Sequence, residues 1–319
     1  MLDVDALVHR AHVVAIPMRV LFRGVQIREA VLIEGPAGWG EFAPFPEYDD
    51  AEAARWLAAA LEASERGWPP PVRERVPVNA TVPPVPPDQV PAILARFPGC
   101  TTAKVKVAEP GGLLDDDVAR VRAVREALGD GGRVRVDANG GWTLDQAVRA
   151  LTALAPLGLE YAEQPCATVE ELAALRQEGL GVPVAADESV RRAEDPLRVA
   201  RLGAADVVVV KVAPLGGVAP ALHVAAESGL PVVVSSALET SVGITAGLAL
   251  AAALPDLPYA CGLATTGLMS DDVADLRVED GSLPVRAVAP DPARLQALSA
   301  RPTRQAWWRD RLRRCAALL

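Results

Sequence analysis

The repeat that decides the fold lies between Val136 and Ser189: Val136-Asp137-Ala138-Asn139, then Tyr161-Ala162-Glu163-Gln164-Pro165, then Ala186-Asp187-Glu188-Ser189. Each is a short β-branched or apolar run ending in a carboxylate, followed by a turn and a helix-like stretch. Asp137 and Glu163 are 26 residues apart, and Glu163 and Asp187 are 24 apart. One strand–helix unit of an α/β barrel takes that many residues, since eight units make about 250. The three carboxylates therefore recur once per unit at the C-terminal ends of consecutive strands, and in such a barrel those ends open on one face, where active sites lie. Three carboxylates converging there repel one another unless a cation neutralises them. A hard divalent ion taking oxygen ligands, Mg²⁺ above all, suits that set. Taken singly, each acid reads more readily as a turn or helix-capping residue; it is the three in register that point to a metal site.

The units extend in both directions. Apolar runs at Val76–Val82, Thr101–Val107, Arg133–Asp137, Glu160–Glu163, Pro183–Asp187, Asp206–Val212, Pro231–Ser235 and Tyr259–Leu263 alternate with helical patterns such as Leu114–Leu128 and Val218–Ser228. Alternation of this kind predicts a parallel sheet with crossover helices, here a closed barrel. The uninterrupted valines of 207–210 suit a strand buried on both faces. An open doubly wound sheet is disfavoured, because no Gly-x-Gly-x-x-Gly opens a helix.

Residues 1–75 read differently. Two extended runs joined at Arg23-Gly24, a glycine-punctuated strand at Gly38-Trp39-Gly40-Glu41, and a helix from Ala51 to about Arg66 with Asp49 or Asp50 as its cap predict a small α+β domain. The barrel is expected over residues 76–284. The tail 285–319, with Trp307-Trp308, is expected to fold back as a helix, and its arginines 309, 311, 313 and 314 to form a solvated face.

Composition narrows the function. The chain has 319 residues, is 50% hydrophobic and carries a net charge of −9, which argues against a nucleic-acid partner. No apolar run is long enough to cross a bilayer. The N-terminus Met1-Leu2-Asp3-Val4-Asp5 is acidic and lacks a signal core, and four scattered cysteines form no CxxC or zinc pattern, so a cytoplasmic protein with reduced thiols is expected. The oligomeric state stays open, a monomer included.

Among 32 basic residues only Lys104, Lys106 and Lys211 are lysines. Either residue serves as a surface charge, but a proton-transferring amine cannot be arginine, whose guanidinium does not deprotonate in proteins. Lys104 and Lys106 are two apart and share one face of strand two, while Lys211 ends strand six. Two and six stand opposite each other in a ring of eight, with the carboxylate strands three, four and five on the arc between. A cation on that arc would acidify the carbon next to a substrate carboxylate, and an amine beside other cations can act as the base. The layout describes proton abstraction α to a carboxylate, on a small-molecule carboxylate substrate.

These residues resemble the enolase superfamily, in its muconate-lactonising subgroup, over nearly the whole chain. The resemblance rests on Gly38-Trp39-Gly40-Glu41, Lys104-x-Lys106, Asp137-x-Asn139, Glu163-Gln164-Pro165, Asp187-Glu188-Ser189 and Lys211. It implies a (β/α)7β TIM-like barrel with an N-terminal α+β capping domain, and Mg²⁺, replaceable by Mn²⁺, held by Asp137, Glu163 and Asp187. It implies Lys106 as base and then acid, Lys211 stabilising the enolate from the opposite face, and Lys104 and Asn139 beside the substrate. Within the subgroup, the short capping domain, the serine-rich Ser235-Ser236-Ala237-Leu238-Glu239-Thr240 and the absence of Asp-x-Asp in Gly262-Leu263-Ala264-Thr265 point to the dehydratases that act on a succinyl-bearing cyclohexadiene in menaquinone biosynthesis. N-succinylamino acid racemisation and muconate cycloisomerisation compete with that reading. Ser235 and Ser236 either receive the succinyl carboxylate or cap the next helix. His9, His12 and His223 lie in or beside the N-terminal strand and in a helix, so none is expected to be catalytic.

Overall fold

The computed structural model describes residues 3–191 and 195–319; Met1 and Leu2 of the acidic N-terminus lie outside the described residues. The chain opens with a short helix α1 (Val4–His9), capped by Asp3, and then a three-stranded antiparallel sheet of β1 (Ala11–Phe22), β2 (Val25–Gly35) and β3 (Gly38–Phe42). Arg23 and Gly24 make the β1–β2 turn, both in the left-handed region that such turns require. Helix α2 (Asp50–Glu65) packs on the sheet, with Asp49 as its N-cap accepting from the Glu52 amide at 2.8 Å. Gly40 sets how closely: a Cβ there would lie 2.0 Å from the Ala60 carbonyl oxygen.

The larger part of the chain follows as β4 (Arg75–Pro77), β5 (Ala80–Val82), α3 (Val90–Leu94), β6 (Thr102–Lys106), α4 (Leu114–Leu128), β7 (Arg133–Asp137), α5 (Leu144–Leu154), β8 (Leu159–Glu163), α6 (Val169–Gln177) and β9 (Val184–Ala186). It continues through α7 (Glu188–Arg191), α8 (Arg198–Arg201), β10 (Val207–Val210), α9 (Val212–Leu215), α10 (Val218–Ser228), β11 (Val232–Val234) and α11 (Ser241–Ala253). Strands β5 to β11 form one parallel seven-stranded sheet in chain order, as consecutive right-handed strand–helix–strand units dictate. Capping boxes start α5 (Thr143 with Gln146) and α6 (Thr168 with Glu171), which fixes where each strand hands over to its helix.

Two expected strands take another form. The run Val76–Val82 is not one strand: β4 pairs antiparallel with β12 (Ser282–Pro284), and only β5 joins the parallel sheet. The break falls at the buried Asn79, whose side chain bonds the Ala80 carbonyl and the Arg135 guanidinium. Tyr259–Leu263 forms no strand of its own. Cys261 bridges in parallel to Val78 and Gly262 to Ser235, so two residues touch both edges of the seven-stranded sheet. The observed architecture is a curled seven-stranded parallel sheet beside an N-terminal α+β unit.

After β12 come α12 (Pro292–Ala297) and α13 (Pro302–Ala316), the latter packed on α1, α2 and β1. Trp308 is fully buried, edge-on to Phe42, and donates to Glu29 at 2.9 Å. The expected solvated arginine face is corrected here. Arg313 and Arg314 are exposed, but Arg311 is 2% exposed, donates to the Pro46 and Tyr48 carbonyls and stacks against Trp307 and Trp308. Helical phase turns Arg311 inward, one turn after Trp307 and Trp308. All four cysteines are free, and three are buried. Among the described residues, no helix is long and apolar enough to cross a membrane.

Candidate active site

The catalytic candidates meet at the C-terminal ends of β6 to β11. Lys104 and Lys106 point to one face of β6, and Lys211 stands directly beyond β10; each is 8% exposed. Asp137 ends β7, Glu163 ends β8 and Asp187 follows β9, all three essentially inaccessible. The ammonium of Lys104 bridges Glu163 at 2.7 Å and Asp137 at 3.0 Å. Lys106 donates to Asp137 at 2.6 Å and to the Asn139 side-chain oxygen, and Lys211 to Asp187 at 2.6 Å. The ring of Phe22, at the end of β1, lies 5.4 Å from the Lys106 amine.

Backbone strain concentrates on this rim. Ala108, Asn139, Gln164 and Leu238, which follow β6, β7, β8 and β11, all have left-handed φ without being glycine. Such conformations cost on the order of 1–3 kcal/mol each and persist where the surroundings impose them. Gln164 shows how. Its fully buried amide accepts from the Asp187 and Ser189 amides and donates to the Cys166 carbonyl and the Ser189 hydroxyl, binding the β8 and β9 ends together.

Burial and mutual repulsion shape the ionisation. Burial alone would lower the Lys104 ammonium, but Asp137 and Glu163 hold it well above its ordinary value. Asp137 resists burial because Lys104 and Lys106 stabilise its charge, and it lies far below the usual carboxylate range. Lys211 and Arg191 likewise bring Asp187 to about 2. Glu163 behaves oppositely: burial, then the charges of Asp137 and Asp187, push it up to about 7 despite Lys104.

The donor set fits a divalent metal. Among the described residues no three acid, histidine or cysteine side chains enclose an ion by themselves, and the lysine amines lie among the carboxylates instead. Yet Glu163 has a buried oxygen, Oε2, with no partner, and a charge its neighbours do not compensate. Both are what a hard cation on oxygen ligands would satisfy. Glu188 also carries an unpartnered Oε2, while its other oxygen accepts from Asn139 and Arg191.

Of the remaining candidates, Ser235 is buried beside Gly262, and the Ser236 hydroxyl pairs with Thr265 at 2.7 Å. Neither caps α11; that cap is Thr240, accepting from the Val242 amide at 3.2 Å.

Arg191 was not anticipated. Its buried guanidinium donates to Asp187, Glu188 and the Tyr48 hydroxyl, tying the carboxylate arc to the N-terminal unit, and Arg23 donates to the same hydroxyl. The signal was present: Arg191 is four residues after Asp187 and three after Glu188, the spacing of neighbours on a helix. Tyr48 carries no such signal.

The fold and the site define a class. An enolase N-terminal domain-like family matches residues 13–64 and an enolase C-terminal domain-like family residues 92–290, and the chain belongs to the enolase superfamily. The o-succinylbenzoate synthase of Mycolicibacterium smegmatis is 62% identical over 317 residues, covering 99% of this chain and 98% of that protein. The o-succinylbenzoate synthase of Mycobacterium tuberculosis is 59% identical, covering 99% and 96%. Among solved structures, a muconate lactonizing enzyme from Pseudomonas fluorescens complexed with muconolactone aligns with TM-score 0.78 at 22% identity over 91% of this chain and 98% of that one. The L-Ala-D/L-Glu epimerase of Bacillus subtilis aligns with TM-score 0.73, also at 22% identity, over 88% and 96%.

Proposed function

We propose that the chain is an o-succinylbenzoate synthase, converting 2-succinyl-6-hydroxy-2,4-cyclohexadiene-1-carboxylate to 2-succinylbenzoate and water in menaquinone biosynthesis, in the cytoplasm. The chemistry rests on one observation: Lys106 and Lys211 stand at the two ends of the Asp137–Glu163–Asp187 arc, at the end of β6 and just beyond β10. The relatives, near 60% identity over the full length, supply the substrate. We read the barrel as a closed (β/α)7β ring over residues 76–284, with Cys261-Gly262 as its eighth position. Residues 1–75 and the tail 285–319 form its cap.

Asp137, Glu163 and Asp187 would hold Mg²⁺, or Mn²⁺ in its place, and the ion would offset the charge that collects on the substrate carboxylate when the α-proton leaves. Lys106, as free amine, takes the proton from the carbon bearing the carboxylate, giving an enediolate. The same ammonium then protonates the departing hydroxyl, so the C–H and C–O bonds break on one face, the ring becomes aromatic and the amine is regenerated. Asp137 and Asn139 aim the Lys106 amine, and Phe22 shields it from water. Lys211 keeps its ammonium on the opposite face, where it stabilises the enediolate. Lys104 and Asn139 border the substrate, and Ser235 and Ser236 with the amides that follow receive the succinyl carboxylate.

The test is incubation of the purified protein and Mg²⁺ with the cyclohexadiene and, separately, with N-succinylamino acids in deuterated water. Rapid ultraviolet loss of the cyclohexadiene with slow α-deuteration supports the synthase. Rapid racemisation with no loss of the cyclohexadiene would contradict it.

A further inference from the structure

The segment Ser235–Thr240, after β11, borders the site but is held from the other side, by two buried charged residues of the N-terminal unit. Arg28 lies on β2 and is 2% exposed. Its guanidinium stacks over the Phe45 ring at 4.7 Å and donates to three backbone carbonyls: Leu238 at 2.9 Å, Ala237 at 3.4 Å, and Ala43. Leu238 has φ +70°, a left-handed conformation costly for leucine, and its side chain is buried. Two of the carbonyls that Arg28 grips thus belong to the strained turn itself.

Glu41, at the end of the Gly38-Trp39-Gly40-Glu41 motif, grips Thr240 and the first turn of the helix beyond. Its carboxylate accepts from the Thr240 amide at 3.1 Å, the Thr240 hydroxyl at 2.5 Å and the Gly243 amide at 2.9 Å, at the N-terminus of α11. Gly243 is what lets it in: a Cβ there would meet Glu239 at 2.6 Å and the Glu41 carboxylate at 2.8 Å. The Glu239 carboxylate turns back to accept the Ala237 amide at 2.5 Å. Glu41, Glu239 and Gly243 share with Ser235 and Ser236 a narrow cavity of about 20 Å³, the size of one water. All six residues from Ser235 to Thr240 therefore lie within this clamp or line its cavity.

We propose that Arg28 and Glu41 are positioning residues, through which the N-terminal unit imposes the left-handed turn at Leu238 and so sets the presentation of Ser235, Ser236 and their neighbouring amides to the substrate's succinyl group. The inference rests on the assignment of this segment to substrate binding. It makes substrate fit a property of the cap's inner surface, at residues that need not touch the substrate.

The test is steady-state kinetics of Arg28→Met, Arg28→Lys and Glu41→Gln with the cyclohexadiene at saturating Mg²⁺, alongside melting curves and Mn²⁺ titration. A loosened turn weakens binding without touching the amines, so Arg28→Met should raise KM by about tenfold with kcat within about threefold of wild type and Mn²⁺ affinity unchanged. Arg28→Lys, which keeps the charge but cannot span three carbonyls, should fall between. If Arg28→Met does not fold, Arg28→Lys and Glu41→Gln carry the test. An unchanged KM in folded protein, whatever the loss of melting temperature, would reduce both residues to structural ties and overturn the proposal. The double variant Ser235→Ala/Ser236→Ala separates the two assignments. A raised KM there with wild-type KM in the Arg28 variants sinks the clamp alone, and the reverse pattern sinks the serine hydroxyls alone.

Discussion

The arc of Asp137, Glu163 and Asp187 and the clamp of Arg28 and Glu41 are both built from buried charges on either side of the same rim, yet they are held by opposite means. In the arc, ions answer ions: every carboxylate touches an ammonium or guanidinium, and Glu163 still keeps an unpartnered oxygen. In the clamp, ions answer the backbone: Arg28 takes carbonyls, and Glu41 takes amides and a hydroxyl. An ion-to-ion cluster can accept a further cation and a substrate charge. An ion-to-backbone cluster is complete and can only hold shape. The contrast separates where chemistry happens from where its geometry is imposed.

The two should therefore break differently. Glu163→Gln removes a proposed metal ligand and should lower turnover more than about a hundredfold. It also removes a buried charge that burial, Asp137 and Asp187 disfavour, so the ion-free protein should melt at a higher temperature than wild type at pH 8. Loss of both activity and stability would show that Lys104 already compensates Glu163.

Gly243→Ala drives a methyl into Glu41 and Glu239 and should cost about 1–3 kcal/mol of stability. KM should rise while kcat changes little. A neutral outcome in calorimetry would mean that the clamp has slack.

The pH response isolates the clamp further. Burial and the neighbouring Glu239 push Glu41 up to about 7 against its bonds from Thr240 and the charge of Arg28. A carboxylate raised on folding favours the folded state at low pH, and that advantage is lost as pH rises from the unfolded value near 4.5 through 7. With Mg²⁺ saturating, to silence Glu163, the melting temperature should fall from pH 6 to pH 8, and Glu41→Gln should flatten the fall. An equal slope in the variant would place the titration elsewhere.

The sequence was most informative where structure is local. Helices Leu114–Leu128 and Val218–Ser228 and strand Arg133–Asp137 occur as read, because caps, periodicity and turn residues lie within each segment. The arc was legible for the same reason: one carboxylate per repeating unit is a one-dimensional pattern, and so is the restriction of lysine to three positions. Val76–Val82 misled because its valines satisfy two different sheets, and Tyr259–Leu263 because two residues are enough to touch both edges. Arg311 looked like surface because it stands in a run with Arg309, Arg313 and Arg314, although it shares a helix face with Trp307 and Trp308. The clamp left no local trace: Arg28 meets Leu238 across 210 residues and Glu41 meets Thr240 across 199. Gly38-Trp39-Gly40-Glu41 stood out as a motif, but only the fold shows what Glu41 holds.

The central claim is that one amine, Lys106, moves the proton in both halves of the reaction. It is tested most directly by turnover of Lys106→Arg with the cyclohexadiene, measured with the Mn²⁺ affinity of the same protein. Arginine keeps the positive charge beside Asp137 but has no proton to exchange at neutral pH. The account predicts turnover reduced by more than about a thousandfold, since general acid–base catalysis is worth 10² to 10⁴ per role, with Mn²⁺ affinity within a few-fold of wild type. Turnover within tenfold of wild type, in protein that still binds Mn²⁺, would contradict it and move the proton transfer to another residue.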